Sequence, residues 1–204
     1  MNAFSSKRGL LITFSVLILL GIGGVLATLM LSGHQNQVSA GKPLIGGPFE
    51  LIDHRGETVT EATYAGRYML VYFGYSYCPD FCPMSLQTMT AAYDLLSAEE
   101  QAKVEPIFIT VDPERDTVAA IADYVSLFHE DLIGLTGSVD QVNGASKAYR
   151  VYHAKAVDSA SSAEYLVDHS SFYYLMGPDG DYVQHFGHDT VEEDMATRLR
   201  EIIG

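Results

Sequence analysis

The sequence is short of cysteine, of tryptophan and of basic residues, and each shortage excludes something. Two cysteines in 204 residues cannot staple a disulfide-rich scaffold, and zinc sites built from paired Cys-x-x-Cys units need more thiols than that. Whatever the two thiols do, they do as one site. Lys and Arg number 12 against 26 Asp and Glu, a formal net charge of -14. Holding a phosphate backbone takes clustered basic side chains that displace counterions, so nucleic acid is not an expected partner. The charge is also unevenly placed. Between Arg8 and Lys42 there is no Asp, Glu, Lys or Arg.

Within that gap, Leu10 to Leu31 is a run of 22 residues rich in Leu, Ile and Val. As a helix rising about 1.5 Å per residue it covers about 33 Å, enough for a hydrocarbon core of about 30 Å. One N-terminal transmembrane helix is therefore predicted. Val38-Ser39-Ala40 has the small residues of a signal-peptide cleavage site. Signal-peptide apolar cores run only about 7 to 15 residues, however, so the segment reads as a retained anchor. Lys7 and Arg8 hold its amino end in the cytoplasm by the positive-inside bias. The expected organisation is a cytoplasmic stub (1–9), an anchor (10–31), a polar tether (32–47) and an exported domain (48–204). That corresponds to a single-pass protein of the bacterial inner membrane with its C-terminal domain in the oxidising periplasm. With Lys7 and Arg8 set aside, the exported part has 10 basic and 26 acidic residues, a formal -16. Such acidity repels anionic headgroups and steers a basic partner or a cation within the screening length of about 10 Å.

The exported part alternates strand-like and helix-like segments, the pattern of an α/β domain. Phe49 to Asp53 and Thr58 to Thr60 flank His54-Arg55-Gly56-Glu57 as a hairpin. Tyr68 to Gly74 and Pro106 to Val111 are apolar runs suited to buried central strands. Pro83 to Ser97 and the segment opened by Asp116-Thr117 have helical spacing, and Ser138 with Gln141 forms a capping box for a helix ending near Tyr149. Strands are expected at Leu132 to Leu135, Val151 to Ala154 and Phe172 to Met176, with a long loop from Ala156 to His169. Pro178-Asp179-Gly180 turns the chain into Tyr182 to Phe186, and Thr190 with Glu193 is expected to cap a last helix.

Gly74-Tyr-Ser-Tyr-Cys78-Pro-Asp-Phe-Cys82-Pro-Met84 stands between a strand and a helix, on the sheet edge where open α/β domains build their sites. Pro83 fits a helix's first turn, which places Cys82 at or near the N-cap, its sulfur facing free backbone N–H groups that favour a thiolate. Cys78 reaches the same side. Two adjacent thiolates can close a disulfide or bind a soft metal; with an imidazole they make a low-coordinate site for Cu(I) that admits Cu(II) as well.

Seven histidines compete for that third place: His34, His54, His129, His153, His169, His185 and His188. His34 in the tether and His129 at a helix end are expected in solvent, while His185 and His188 form a His-x-x-His pair that rivals His169. Asp168 can orient its neighbour His169. Asp112, Glu114, Arg115 and Asp116 follow the second core strand as a polar rim, with Asp116 expected to cap a helix and Arg115 to pair with a carboxylate. Tyr72, Tyr75, Tyr77 and Phe81 can shield a metal from water, although a buried strand uses aromatics anyway. Met84 is soft enough for copper but reads as core.

These segments resemble the Sco/SenC family of copper-binding assembly factors for cytochrome c oxidase. The resemblance runs from about Gly46 to the end and rests on four motifs in order: the cysteine motif, Val111-Asp-Pro-Glu-Arg-Asp-Thr117, Val167-Asp-His-Ser170 and Gly177-Pro-Asp-Gly180. It implies a thioredoxin-like fold, one N-terminal anchor, and copper held by Cys78, Cys82 and His169. It implies delivery of copper to the binuclear copper site of oxidase subunit II, with a second periplasmic copper chaperone as a further candidate partner. The alternatives are a dedicated thiol-disulfide reductase for that site's cysteines and a copper or redox sensor. Thioredoxin-like oxidoreductases typically use Cys-x-x-Cys and a proline facing the dithiol. Here the spacing is Cys-x-x-x-Cys, and Asp168-His169-Ser170 stands where that proline is expected, which disfavours general disulfide catalysis. A Pro-x-x-x-Thr-x-x-Cys pattern of the peroxiredoxin type is missing.

Overall fold

The structure, a computed structural model, describes residues 44–156 and 165–204. The stub, the anchor, most of the tether and His34 lie outside the described residues. Among those described, no helix is long and apolar enough to cross a membrane.

A seven-stranded sheet forms the centre, in the order β2-β1-β5-β4-β3-β8-β9. Its middle is the parallel pair β3 (Tyr68–Gly74) and β4 (Val104–Thr110), in register from Tyr68 opposite Val104 to Gly74 opposite Thr110. Both strands are buried along nearly their whole length because helices cover both faces, so apolar residues run continuously instead of alternating. β4 begins two residues earlier than the apolar run predicts: Glu105 enters the sheet because Arg67 pairs with its carboxylate. The flanks are antiparallel. β1 (Glu50–Asp53) pairs with β2 (Thr58–Thr60) and with β5 (Ile133–Thr136); β8 (Tyr173–Met176) pairs with β3 and with β9 (Tyr182–Phe186).

The helices are α1 (Phe81–Asp94), the single turn α2 (Ala98–Gln101), α3 (Val118–Val125), α4 (Val139–Ala148) and α5 (Glu192–Ile203). The Ser138–Gln141 capping box forms as expected, and α4 ends on Tyr149. Two caps differ from expectation. Thr117, not Asp116, accepts the Ala120 N–H at the start of α3. Val191 is the N-cap of α5, without a side-chain bond; three acidic residues in the first turn, Glu192, Glu193 and Asp194, complement the free N–H groups there.

The expected loop from Ala156 to His169 ends in a strand. β7 (Leu166–His169) pairs antiparallel with β6 (His153–Ala156) in a separate two-stranded sheet that sets His153 opposite His169. Residues 157–164 between them lie outside the described residues. Since β3 and β4 are parallel and in register, the loops that leave Gly74 and Thr110 emerge on the same sheet edge.

Candidate metal centre

Cys78 and Cys82 are free thiols in very different surroundings. α1 starts at Phe81, with Asp80 as N-cap, so Cys82 is already the second helical residue and Pro83 the third. Pro83 costs nothing there, because first-turn N–H groups have no partner within the helix. Within this first turn the Cys82 side chain is directed inward. It is 0% exposed, and its sulfur lies so close to the end of β3 that a Cβ on Gly74 would stand 2.8 Å from it. Glycine is required at that position by this approach.

Asp80 makes no side-chain cap. The Cys78 sulfur takes the place instead, accepting the Cys82 N–H at 3.4 Å. Cys82 stands near the N-cap as expected, but the sulfur that accepts an N–H at the helix N-terminus is that of Cys78, which corrects the expectation for the Cys82 sulfur. The pair is electrostatically asymmetric. A hydrogen bond from the Cys82 thiol, with others from the N–H groups of Cys82 and Asp80, pulls Cys78 down to about 3 against the resistance of burial. That same bond to Cys78, together with burial and repulsion from the Cys78 thiolate, pushes Cys82 strongly up. The arrangement favours the thiolate at Cys78 and the protonated thiol at Cys82.

His169, at the end of β7, reaches this pair. Its Nε2 lies 3.4 Å from Cys82 Sγ, and its Nδ1–H donates to the Ser170 carbonyl at 3.0 Å. An acceptor at Nδ1 fixes the proton there and leaves the Nε2 lone pair facing the sulfurs, the tautomer a metal ligand needs. Tyr72 and Tyr75 stand edge-on to the ring, with centroids at 6.2 and 5.9 Å. Asp168 belongs to the same cleft wall, on the alternate face of β7. Among the described residues no trio of Cys, His, Asp or Glu side chains is already spaced as a metal cage. The three donors instead line and back an open cleft of about 440 Å³ between α1 and β7. A thiolate, a thiol and a neutral imidazole are a donor set matched to a soft, low-coordinate ion such as Cu(I).

The polar rim has two distinct jobs. Asp116, fully buried, accepts the Ser76 N–H at 3.1 Å, the Ser76 hydroxyl, and the Thr110 hydroxyl at 2.5 Å. It ties the cysteine loop to the end of β4. Burial raises its pKa, and these bonds pull in the other direction. Arg115 pairs with Asp112 as expected, Nε to Oδ2 at 2.5 Å, and Nη1 donates to the Tyr165 carbonyl at 3.0 Å. Its guanidinium carbon also lies 3.7 Å from the Tyr165 ring centroid, 4.6 Å from Tyr77 and 5.8 Å from Tyr75. Sequence reasoning missed this stack, since its partners come from the cysteine loop and from the start of the β7 segment.

The other histidines separate cleanly. His54 Nδ1 accepts the Gly134 N–H. His129 is held by Asp94 and by the Asp131 N–H against the Tyr93 ring, so it is engaged and not solvated as expected. The Tyr182 hydroxyl and Nδ1 of His185 are hydrogen-bonded at 2.6 Å, and Phe172 packs on the His185 ring. His188 lines the cleft of Cys78 and His169, which His185 does not. Of the aromatics, Tyr72 and Tyr75 are buried and Tyr77 and Phe81 exposed; Met84 is 60% exposed and not core, for it sits on the outer face of α1.

A thioredoxin-like sheet with two thiols after its central strand, and an imidazole facing them from a later one, defines a dithiol protein of the metal-handling or redox kind. The chain belongs to the SCO1/SenC family, whose sequence profile matches residues 37–204. It is 41% identical over 166 residues to the human mitochondrial SCO1 homolog, covering 81% of this chain and 55% of that one. It spans about half the length of the first curated relatives it matches. Crystal structure comparison gives a TM-score of 0.71 with copper-bound ScoI of Arabidopsis thaliana, at 40% identity, covering 78% of this chain and 98% of that one. Copper-bound ScoI of Bradyrhizobium japonicum gives 0.70 at 39% identity, covering 77% and 98%.

Proposed function

We propose that this protein is a membrane-anchored copper chaperone that binds copper through Cys78, Cys82 and His169 and delivers it to the binuclear copper site of cytochrome c oxidase subunit II during assembly. The observation that carries this reading is the convergence of His169 Nε2 on the Cys82 sulfur, 3.4 Å away, beside a second sulfur that accepts a backbone N–H at a helix N-terminus. Two relatives about 40% identical hold copper in the same fold. Residues 10–31 anchor the domain on the periplasmic face of a bacterial inner membrane, within reach of a membrane-bound acceptor. Binding draws the three donors together across the cleft; the Cys82 proton leaves as its sulfur takes the metal, since only deprotonated thiols ligate. Release is the reverse exchange, one donor at a time, onto the acceptor's own thiolates and imidazoles.

A second reading, a dedicated reductase of the acceptor's cysteines, is favoured by the asymmetry of the thiols: a partly exposed Cys78 with a lowered pKa for attack and a buried Cys82 with a raised pKa behind it to resolve the mixed disulfide. Mixing the copper-loaded, reduced chain with the copper-free acceptor subunit, and following metal and thiols together, separates the two. Copper movement with the thiols unchanged supports the chaperone. Thiol exchange without copper movement overturns it in favour of the reductase.

A further inference from the structure

The cleft has a fourth potential donor that neither the three-residue site nor the rest of the fold uses. His188 lies two residues beyond the end of β9, is exposed, and shares the cleft lining with Cys78 and His169. On that wall His169 is locked by the Ser170 carbonyl and two tyrosine edges, and outside it His185, three residues before His188, is bonded to Tyr182. The His188 imidazole makes no hydrogen bond to another described residue. Asp80 and Asp168 line the same opening and add negative charge that draws a cation toward it.

The depth of the sulfurs makes such a residue useful. Cys82 is fully buried and does not line the open cleft, whereas Cys78 does. An ion from solvent meets Cys78, His169 and His188 before it can reach Cys82. A soft ion moves between sites by associative exchange, forming each new bond before an old one breaks, because a bare ion inside a protein is costly.

We propose that His188 is an entry and exit ligand, which holds copper at the mouth of the cleft together with Cys78 and His169 while the ion passes to or from Cys82. In loading, a copper–nitrogen bond to His188 forms first. It breaks as the copper–sulfur bond to Cys82 forms, the Cys82 thiol proton passing to solvent and no electron changing hands. In delivery the steps reverse, leaving the ion on the most exposed donors, where an acceptor can reach it. This inference rests on the copper reading proposed above.

Removing Cys82 traps the intermediate. The test uses the intact chain in detergent, carrying Cys82→Ser, reduced and loaded anaerobically with one equivalent of Cu(I). X-ray absorption at the copper edge counts imidazole ligands, and a calibrated Cu(I) competitor reads affinity. The expected result is two imidazoles in Cys82→Ser and one in Cys82→Ser/His188→Gln, with affinity about tenfold lower in the double variant. Equal imidazole counts and equal affinities in the two would overturn the proposal. So would failure of Cys82→Ser to hold Cu(I), for the three cleft donors would then not suffice. If the chain with both cysteines intact takes up no Cu(I), the copper reading itself falls; if it does and His188→Gln is silent in the Cys82→Ser background, only the role of His188 falls.

Discussion

His169 sets its Nε2 3.4 Å from the buried sulfur of Cys82, although 87 residues of sequence separate them. The contact depends on β7, which ends at His169, and on α1, whose second residue is Cys82. His169→Ala removes one of the three proposed donors together with its edge-on contacts to Tyr72 and Tyr75. Cu(I) affinity of the reduced chain should fall more than about 100-fold, beyond the loss typical of residues that only support a ligand. Anaerobic competitive titration measures it, with thermal unfolding of the copper-free variant as the control for folding. An affinity within a few-fold of the parent removes His169 from the ligand set.

The thiol asymmetry gives a pH signature. A free thiol ionises near 9.0, and Cys78 is drawn down to about 3 chiefly by the hydrogen bond from Cys82. Alkylation of Cys78 should therefore be nearly independent of pH between about 5 and 8, where an ordinary thiol speeds up about tenfold per unit. Cys82, pushed up, should stay unmodified throughout. The sign for stability follows. A depressed folded pKa stabilises fully above the unfolded value near 9.0 and loses that contribution as pH falls toward about 3. Cys82, raised, acts oppositely: its contribution is intact below the unfolded value and declines above it. Mass-spectrometric alkylation rates decide the matter, and a unit slope of log rate against pH for Cys78 contradicts it.

At Gly74 the close approach of the Cys82 sulfur predicts a double defect. A methyl group there would also meet the Tyr72 ring at 3.0 Å and the Phe108 ring at 3.1 Å, all in the packed centre of the sheet. Overpacking of this kind costs about 1–3 kcal/mol. Gly74→Ala should lower the urea midpoint accordingly and, by displacing the sulfur, weaken Cu(I) binding as well. A variant of equal stability whose copper affinity is unchanged shows that the sulfur can yield without consequence.

The legible parts of the fold are those where one physical signal dominates. β3 and β4 are readable as apolar runs because both their faces are covered, and α4 because the Ser138–Gln141 box marks its start. β7 was hidden: only Val167 in it is buried, Asp168 is exposed, and a short hairpin outside the main sheet needs no apolar alternation. Which cysteine sits at the helix N-terminus turned on a shift of two residues in the start of α1, since Pro83 is tolerated anywhere in the first turn. The choice of His169 among seven histidines had little local signal and leaned on the family resemblance, because the pairing is made by chain crossing. The Arg115 stack was invisible for the same reason.

That stack joins the two halves of the site. Arg115 is bonded to Asp112 beyond β4, lies on Tyr77 one residue before Cys78, and holds both the ring and the carbonyl of Tyr165 one residue before β7. The Tyr165 hydroxyl in turn donates to Asp112 at 2.9 Å. The guanidinium thus fixes the spacing between the cysteine loop and the strand that carries His169 without touching a sulfur or the imidazole. An ammonium cannot reproduce this, because it lacks the flat face that stacks between rings and the fork that bonds Asp112 and the carbonyl together. Arg115→Lys and Arg115→Ala should therefore behave alike, each lowering Cu(I) affinity about tenfold, within the range for residues that orient ligands. Both should speed amide hydrogen exchange in 166–169 and in the cysteine loop, a change that simple loss of a surface charge would not produce. If lysine restores both affinity and protection, the charge matters and the stack does not.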